Sequence, residues 1–134
     1  MRIEGVSWVG VRTDQYAAMA GFFRDVVGLQ AVLEQHDFVV FRMPDGDQVE
    51  IFGPDGPNPP QQFAQGEVVA GLLVDDIEAA TEELRRAGIE LIGGRQGSAS
   101  GYSWQHFRAP DGKVFELCHD QEHHRAQRLR RRPS

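Results

Sequence analysis

Two carboxylates in equivalent places are the first residues that could do chemistry. Glu50 stands in "FRMPDGDQVEIF" (residues 41–52) and Glu116 in "FRAPDGKVFELC" (residues 107–118). Both stretches read Phe-Arg, then Pro-Asp-Gly, then Glu before an aliphatic residue, with every gap equal. Two carboxylates facing one water-poor hollow repel each other and lose hydration, which raises at least one pKa. Such a pair can serve as a general base, attract a cationic or donor-rich ligand, or hold a hard divalent ion. His106 adds an imidazole that could act as an acid or lend a nitrogen. Cys118 is the single cysteine, so it forms no internal disulfide, and nothing near it in sequence makes it a thiolate.

A duplicated motif implies a duplicated unit. In the first copy "EGVSWVGVRT" alternates as a strand, and Asp14 is a candidate helix cap. Tyr16, Ala20, Phe23 and Val27 form one apolar helix stripe, and Gly28 stops it. Strands follow at 30–34 and 36–43, then the Pro44-Asp45-Gly46 turn and the strand "QVEIF". In the second copy "VVAGLLV" is the strand. Asp75 or Asp76 caps a helix with the stripe Ile77, Ala80, Leu84 and Ala87. "IELIG", "YSWQHFRA" and "VFELC" are its later strands. The spacing predicts two βαβββ modules, residues 1–53 and 67–119, within one structural domain. A Pro/Gly-rich linker spans 54–66 and a basic, flexible tail spans 120–134. The stretch 93–102, "GGRQGSASGY", reads as a flexible loop. It lacks the GK[ST] ending of a phosphate cradle and opens no helix.

One helix can cover only one face of such a small sheet. Two modules side by side predict an α+β fold, a cupped mixed sheet with helices outside and a hollow within. Alternation then sorts the strands. Val9, Val11, Val49, Ile51, Phe107, Phe115 and Leu117 pack under the helices. Trp8, Gln48, Glu50, Phe52, Val69, Trp104, His106, Arg108 and Glu116 turn inward. Trp8, Phe52 and Trp104 offer a stacking surface for a flat ring.

The formal net charge is −6, yet residues 1–119 hold nine basic and eighteen acidic residues. An acidic body disfavours nucleic acid and suits neutral or cationic small partners. The arginine-rich end, with His119, His123 and His124 before it, reads as a solvated terminus. No apolar run approaches the ~20 residues of a membrane span, and the N-terminus does not read as a signal peptide. A soluble cytoplasmic protein is expected.

The doubled PDG-x-x-x-E-[IL], "FFRDVVGLQ" at a helix exit and "VDDIEAA" at a helix start resemble the vicinal oxygen chelate superfamily. That group includes glyoxalase I, bleomycin-resistance proteins and extradiol dioxygenases. The resemblance covers about residues 3–118. It implies a metal ligand on the first strand of each module, usually His, and a Glu on each last strand. The glutamates match Glu50 and Glu116, but the histidine positions hold Trp8 and Val69, which offer no lone pair suited to a transition metal. The resemblance therefore implies a member depleted of metal ligands, needing no cofactor. If a divalent ion binds at all, Glu50 and Glu116 would hold it. The implied function is binding of a small aromatic or cationic molecule between the modules of a homodimeric protein, as in drug sequestration. The alternative is a lyase, isomerase or dioxygenase using Glu50 or Glu116 as base, with His106 assisting.

Overall fold

The two Pro-Asp-Gly stretches form matching turns in this computed structural model, which describes residues 1–57, 67–98 and 101–123. In the first turn the Met43 amide donates to the Asp47 carbonyl at 2.8 Å, and in the second Ala109 donates to Lys113 at 2.8 Å. Gly46 and Gly112 take φ of 99° and 92°, a region that disfavours any side chain.

The first module runs β1 (Ile3–Arg12), α1 (Tyr16–Gly21), β2 (Gln30–Gln35), β3 (Phe38–Arg42) and β4 (Gln48–Phe52). The second runs β5 (Val68–Val74), α2 (Ile77–Arg86), β6 (Glu90–Gly97), β7 (Tyr102–Arg108) and β8 (Val114–Asp120). All eight strands form one curved mixed sheet in the order β2-β3-β4-β1-β5-β8-β7-β6. Corresponding strands stand at equal distances from the centre. There β1 and β5 pair antiparallel, while β4 lies parallel to β1 and β8 parallel to β5.

The alternation predicted from sequence sets the core. On the outer face α1 brings Tyr16, Met19 and Ala20 against Val39, Phe41, Val49 and Ile51. There α2 brings Ile77, Ala80 and Leu84 against Val74, Phe107 and Leu117. On the inner face Trp8, Phe38, Val40, Phe52, Val69 and Val114 form a separate apolar cluster. Burial of a large side chain of this kind contributes about 1.5–3 kcal/mol. The inner cluster therefore stiffens the floor of the cup. Among the described residues no helix is long and apolar enough to cross a membrane.

Several local expectations are corrected. Asp14 does not cap α1: Gln15 holds the cap position without a side-chain bond, and its amide donates to Thr13 Oγ1 at 3.0 Å. Asp76 does cap α2, its Oδ1 accepting from the Ala79 amide at 3.0 Å. Beyond α1 the chain widens into a π-helical stretch, Phe22–Val27. A π turn holds more residues than an α turn, so Val27 rotates off the stripe and is exposed. Gly28 stops the helix in the left-handed region at φ 83°, as its type suggests. Ala87 ends α2 exposed rather than extending its buried stripe.

The glycine-rich stretch 93–102 is largely not a loop. Strand β6 continues through Gly97 and β7 begins at Tyr102: after a register break at residues 93–95, Gln96 and Gly97 pair with Trp104 and Ser103, and that ladder outweighs the low strand propensity of glycine. The assigned tail also starts later than its composition suggests. Asp120 is still strand, residues 121–123 are helical, and His123 is buried. His124 and the arginines after it, like most of the linker, lie outside the described residues.

Candidate functional site

One row of paired residues crosses the middle of the sheet. Gln48 is opposite Trp8, Trp8 opposite Gly71, Gly71 opposite Glu116 and Glu116 opposite His106. In the next row Glu50 faces Gly10 and Gly10 faces Val69. Residues opposite each other share a face, so both glutamates look into the cup.

The two glycines make room for this arrangement. A Cβ on Gly10 would lie 2.3 Å from Cη2 of Trp8, so the indole lies directly over the Gly10 backbone. A Cβ on Gly71 would meet Trp8 Cβ at 3.1 Å and Glu116 Oε1 at 3.3 Å. The tryptophan ring thus bends across β1 toward Glu50, and the Glu116 carboxylate settles over β5.

The resulting cavity measures about 310 Å³. Its walls are the rings of Trp8, Phe38, Phe52, Tyr102 and Trp104, with Pro57 at one side. Phe38 and Phe52 lie 4.9 Å apart centre to centre, and Tyr102 and Trp104 lie 5.7 Å apart. Gln48, Glu50, His106 and Glu116 supply the polar lining. An apolar hollow with a few convergent polar groups is the usual form of a small-molecule site.

The charges in it are strained. Burial pushes Glu50 up to about 7, Glu116 nearby pushes the same way, and a hydrogen bond from Trp8 holds it back. Burial also raises Glu116, opposed by His106 and Tyr102. The Tyr102 hydroxyl donates to Glu116 Oε1 at 3.4 Å. Burial lifts the Tyr102 hydroxyl well above the usual phenol range. The same effect, with Glu116 beside it, carries the Cys118 thiol up to about 12, which disfavours the thiolate. Cys118 Sγ instead lies 3.0 Å from Ser7 Oγ.

His106 is 2% exposed. Its Nε2 lies 3.1 Å from Glu116 Oε2. Apart from that contact with Glu116, the ring has no hydrogen-bond partner among the described residues, and Nδ1 is left without one. A buried imidazole left this way lacks a hydrogen bond worth about 1 kcal/mol or more, and a ligand in the cavity can supply it.

The residues do not fit a metal here. Tryptophan and valine occupy the two positions where the resemblance implies histidines. The donor atoms of Glu50, Glu116 and His106 do not converge within 4.8 Å of one another, whereas two other groups of described residues do. The indole nitrogen is a donor only. At Trp8 it points a proton at the carboxylate that a metal would otherwise use.

The cavity therefore gathers Trp8, Glu50, Phe52, Trp104, His106 and Glu116, all singled out from sequence. Val69 is on the inner face but packs beneath Trp8 in the apolar floor, without lining the cavity. Arg108 is not part of the site. It is exposed near the end of β7, where its Nε bonds to Glu90 Oε2 at 3.1 Å and its Nη1 to the Gly112 carbonyl at 2.9 Å. Reading by types missed Phe38 and Tyr102. Alternation could have found both: Phe38 is on the opposite face from Val39, and Tyr102 is two residues before Trp104. Pro57 arrives from the loop after β4 and carries no such signal.

The chain matches the model of the Glyoxalase/Bleomycin resistance protein/Dioxygenase superfamily over residues 5–117. Among solved structures it is similar to a member of that superfamily from Vibrio splendidus 12B01 (23% identity, TM-score 0.60, 84% of this chain and 96% of that one). It is also similar to the Mn(II)-bound glyoxalase from Novosphingobium aromaticivorans, with 22% identity and a TM-score of 0.66 over 89% of this chain but 40% of that one. A third likeness is Streptomyces coelicolor methylmalonyl-CoA epimerase (13% identity, TM-score 0.64, 90% of this chain and 99% of that one). At these identities the likenesses show the fold alone. No curated protein matches the chain.

Proposed function

Since the chain belongs to the glyoxalase/bleomycin resistance protein/dioxygenase superfamily, we propose that it binds a small molecule in the cavity between its modules without using a metal there. The ligand has a flat apolar body and a cationic or donor-rich end. The observation that carries this reading is the hydrogen bond from Trp8 to Glu50, made by a side chain that has no lone pair to give a metal. The aromatic walls suit the body of such a ligand, and cations are attracted to ring faces. Glu50 and Glu116 suit its other end. Drug sequestration of the bleomycin-resistance type fits this chemistry, and with it come a homodimer and a cytoplasmic location.

The test is thermal unfolding of chelator-treated protein with bleomycin and with a panel of flat aromatic amines. Stabilisation should rise with ligand concentration and be unaffected by chelator. Stabilisation that needs a restored divalent ion, and is lost in Glu50→Ala, would contradict the reading. Light scattering tests the homodimer.

One observation favours a second reading. Glu50 at about 7 is poised as a general base at neutral pH. On that reading the chain is a lyase, isomerase or dioxygenase-type enzyme, with His106 within the cavity as partner acid. Turnover of a bound candidate, abolished by Glu50→Gln while binding persists, would establish it.

A further inference from the structure

The two matching turns differ at the residue after Pro-Asp-Gly, Asp47 in one and Lys113 in the other, and that difference creates a second cluster away from the cavity carboxylates. In the second turn Asp111 Oδ1 accepts from the Lys113 amide at 3.1 Å, and Lys113 Nζ lies 3.3 Å from Asp111 Oδ2. The turn neutralises itself. In the first turn Asp45 Oδ1 accepts from the Asp47 amide at 3.0 Å in the same way, but an aspartate stands where the lysine would be. Two carboxylates then sit together with no lysine between them.

What approaches them is His123, from the helical residues after β8. Its ring presses on Gly46, where a Cβ would lie 2.8 Å from Cδ2, so only glycine admits it. His123 is 2% exposed. Its Nε2 is 2.5 Å from Asp47 Oδ1, and its Nδ1 has no hydrogen-bond partner among the described residues. The donor atoms of Asp45, Asp47 and His123 all lie within 4.8 Å of one another. Asp45 and His123 line a hollow of about 520 Å³ together with Arg42, Asp120 and Glu122, and Asp47 lies behind them.

We propose that Asp45, Asp47 and His123 form a binding site for a divalent transition-metal cation, Zn²⁺ or a close relative. One imidazole nitrogen and two carboxylate oxygens are the mixed donor set such ions take, with water completing the shell from the open side. The cation does for the first turn what Lys113 does for the second. It also ties the residues after β8 to the β3–β4 turn, and so joins the two modules beside Tyr102, which lines both this hollow and the cavity. The site uses neither Glu50 nor Glu116, so it is independent of the reading of the cavity.

The test is calorimetric titration of the chelator-treated full chain with Zn²⁺. The expected result is one Zn²⁺ per chain, at least tenfold weaker in Asp45→Asn and in His123→Gln, and unchanged in Glu50→Gln. Loss of the packed His123 ring could unfold that variant. Asp47→Lys, which copies the second turn, is therefore measured beside it and should stay folded by circular dichroism while losing Zn²⁺. Absence of saturable binding to the wild-type chain would overturn the proposal. So would binding that survives Asp45→Asn but disappears in His124→Ala, where the neighbouring histidine holds it, or in Glu50→Gln, where the cavity does.

Discussion

The Trp8 indole N–H is hydrogen-bonded to the Glu50 carboxylate, with the ring lying over Gly10, whose missing Cβ leaves room for it. A donor-only side chain thus occupies the position from which the resemblance implies a metal ligand would reach the same carboxylate. The bond partly offsets the burial of Glu50, and it leaves the carboxylate still able to accept from a ligand.

Glu50 makes stability depend on pH in a direction opposite to that of a salt-bridged acid. Its pKa rises from 4.5 unfolded to about 7 folded, so between those values the folded state holds the extra proton. Its contribution is fully present below about 4.5 and is lost as pH rises through 7. At about 1.4 kcal/mol per unit, the loss is on the order of 3 kcal/mol. Glu50→Gln, which keeps an acceptor for Trp8, should melt higher than wild type at pH 8 and near wild type at pH 5. Thermal unfolding across pH 5–8 checks it.

Trp8→Phe keeps a ring over Gly10 but removes the N–H. Hydrogen bonds to charged groups contribute roughly 1.5–3 kcal/mol. The Glu50 pKa should therefore climb about one to two units further above 7. Carbon-13 NMR of labelled glutamate side chains reads that midpoint, and an unmoved midpoint would deny the bond its role.

Gly10→Ala should cost about 1–3 kcal/mol, because the new methyl overlaps the indole and the packed floor resists its movement. Gly94→Ala is the control: its Cβ meets nothing within 4 Å. It should be neutral or slightly stabilising, since alanine restricts the unfolded chain. Denaturant titration of both separates packing from propensity.

Much of this arrangement was legible before the structure. The period-2 pattern assigned Val49, Ile51, Phe115 and Leu117 to the outer face and Glu50 and Glu116 to the inner one, because burial under a helix enforces alternation over every residue of a strand. Strand ends were harder. Gly93–Gly97 has poor intrinsic strand character; Gln96 and Gly97 pair with β7 after a register break, and the Gln105 side chain donates to the Gly93 carbonyl, tertiary effects no local window contains. Arg108 obeyed the alternation but stands too near the end of β7, so Glu90 and the Gly112 carbonyl take it instead. His123 looked like part of a basic tail, and only the turn at Gly46, far away in sequence, explains its burial.

The central claim is that the cavity takes its ligand through carboxylates and rings, with no metal between. Calorimetric titration of chelator-treated protein with bleomycin, or with the tightest flat aromatic amine from the thermal panel, tests it most directly. Saturable 1:1 binding is predicted, tighter at pH 8 than at pH 6 as Glu50 ionises, weakened at least tenfold by Glu116→Gln, and unchanged when Zn²⁺ or Mn²⁺ is added. Binding that appears only after a divalent ion is restored, in wild type and in Asp45→Asn alike, would contradict it.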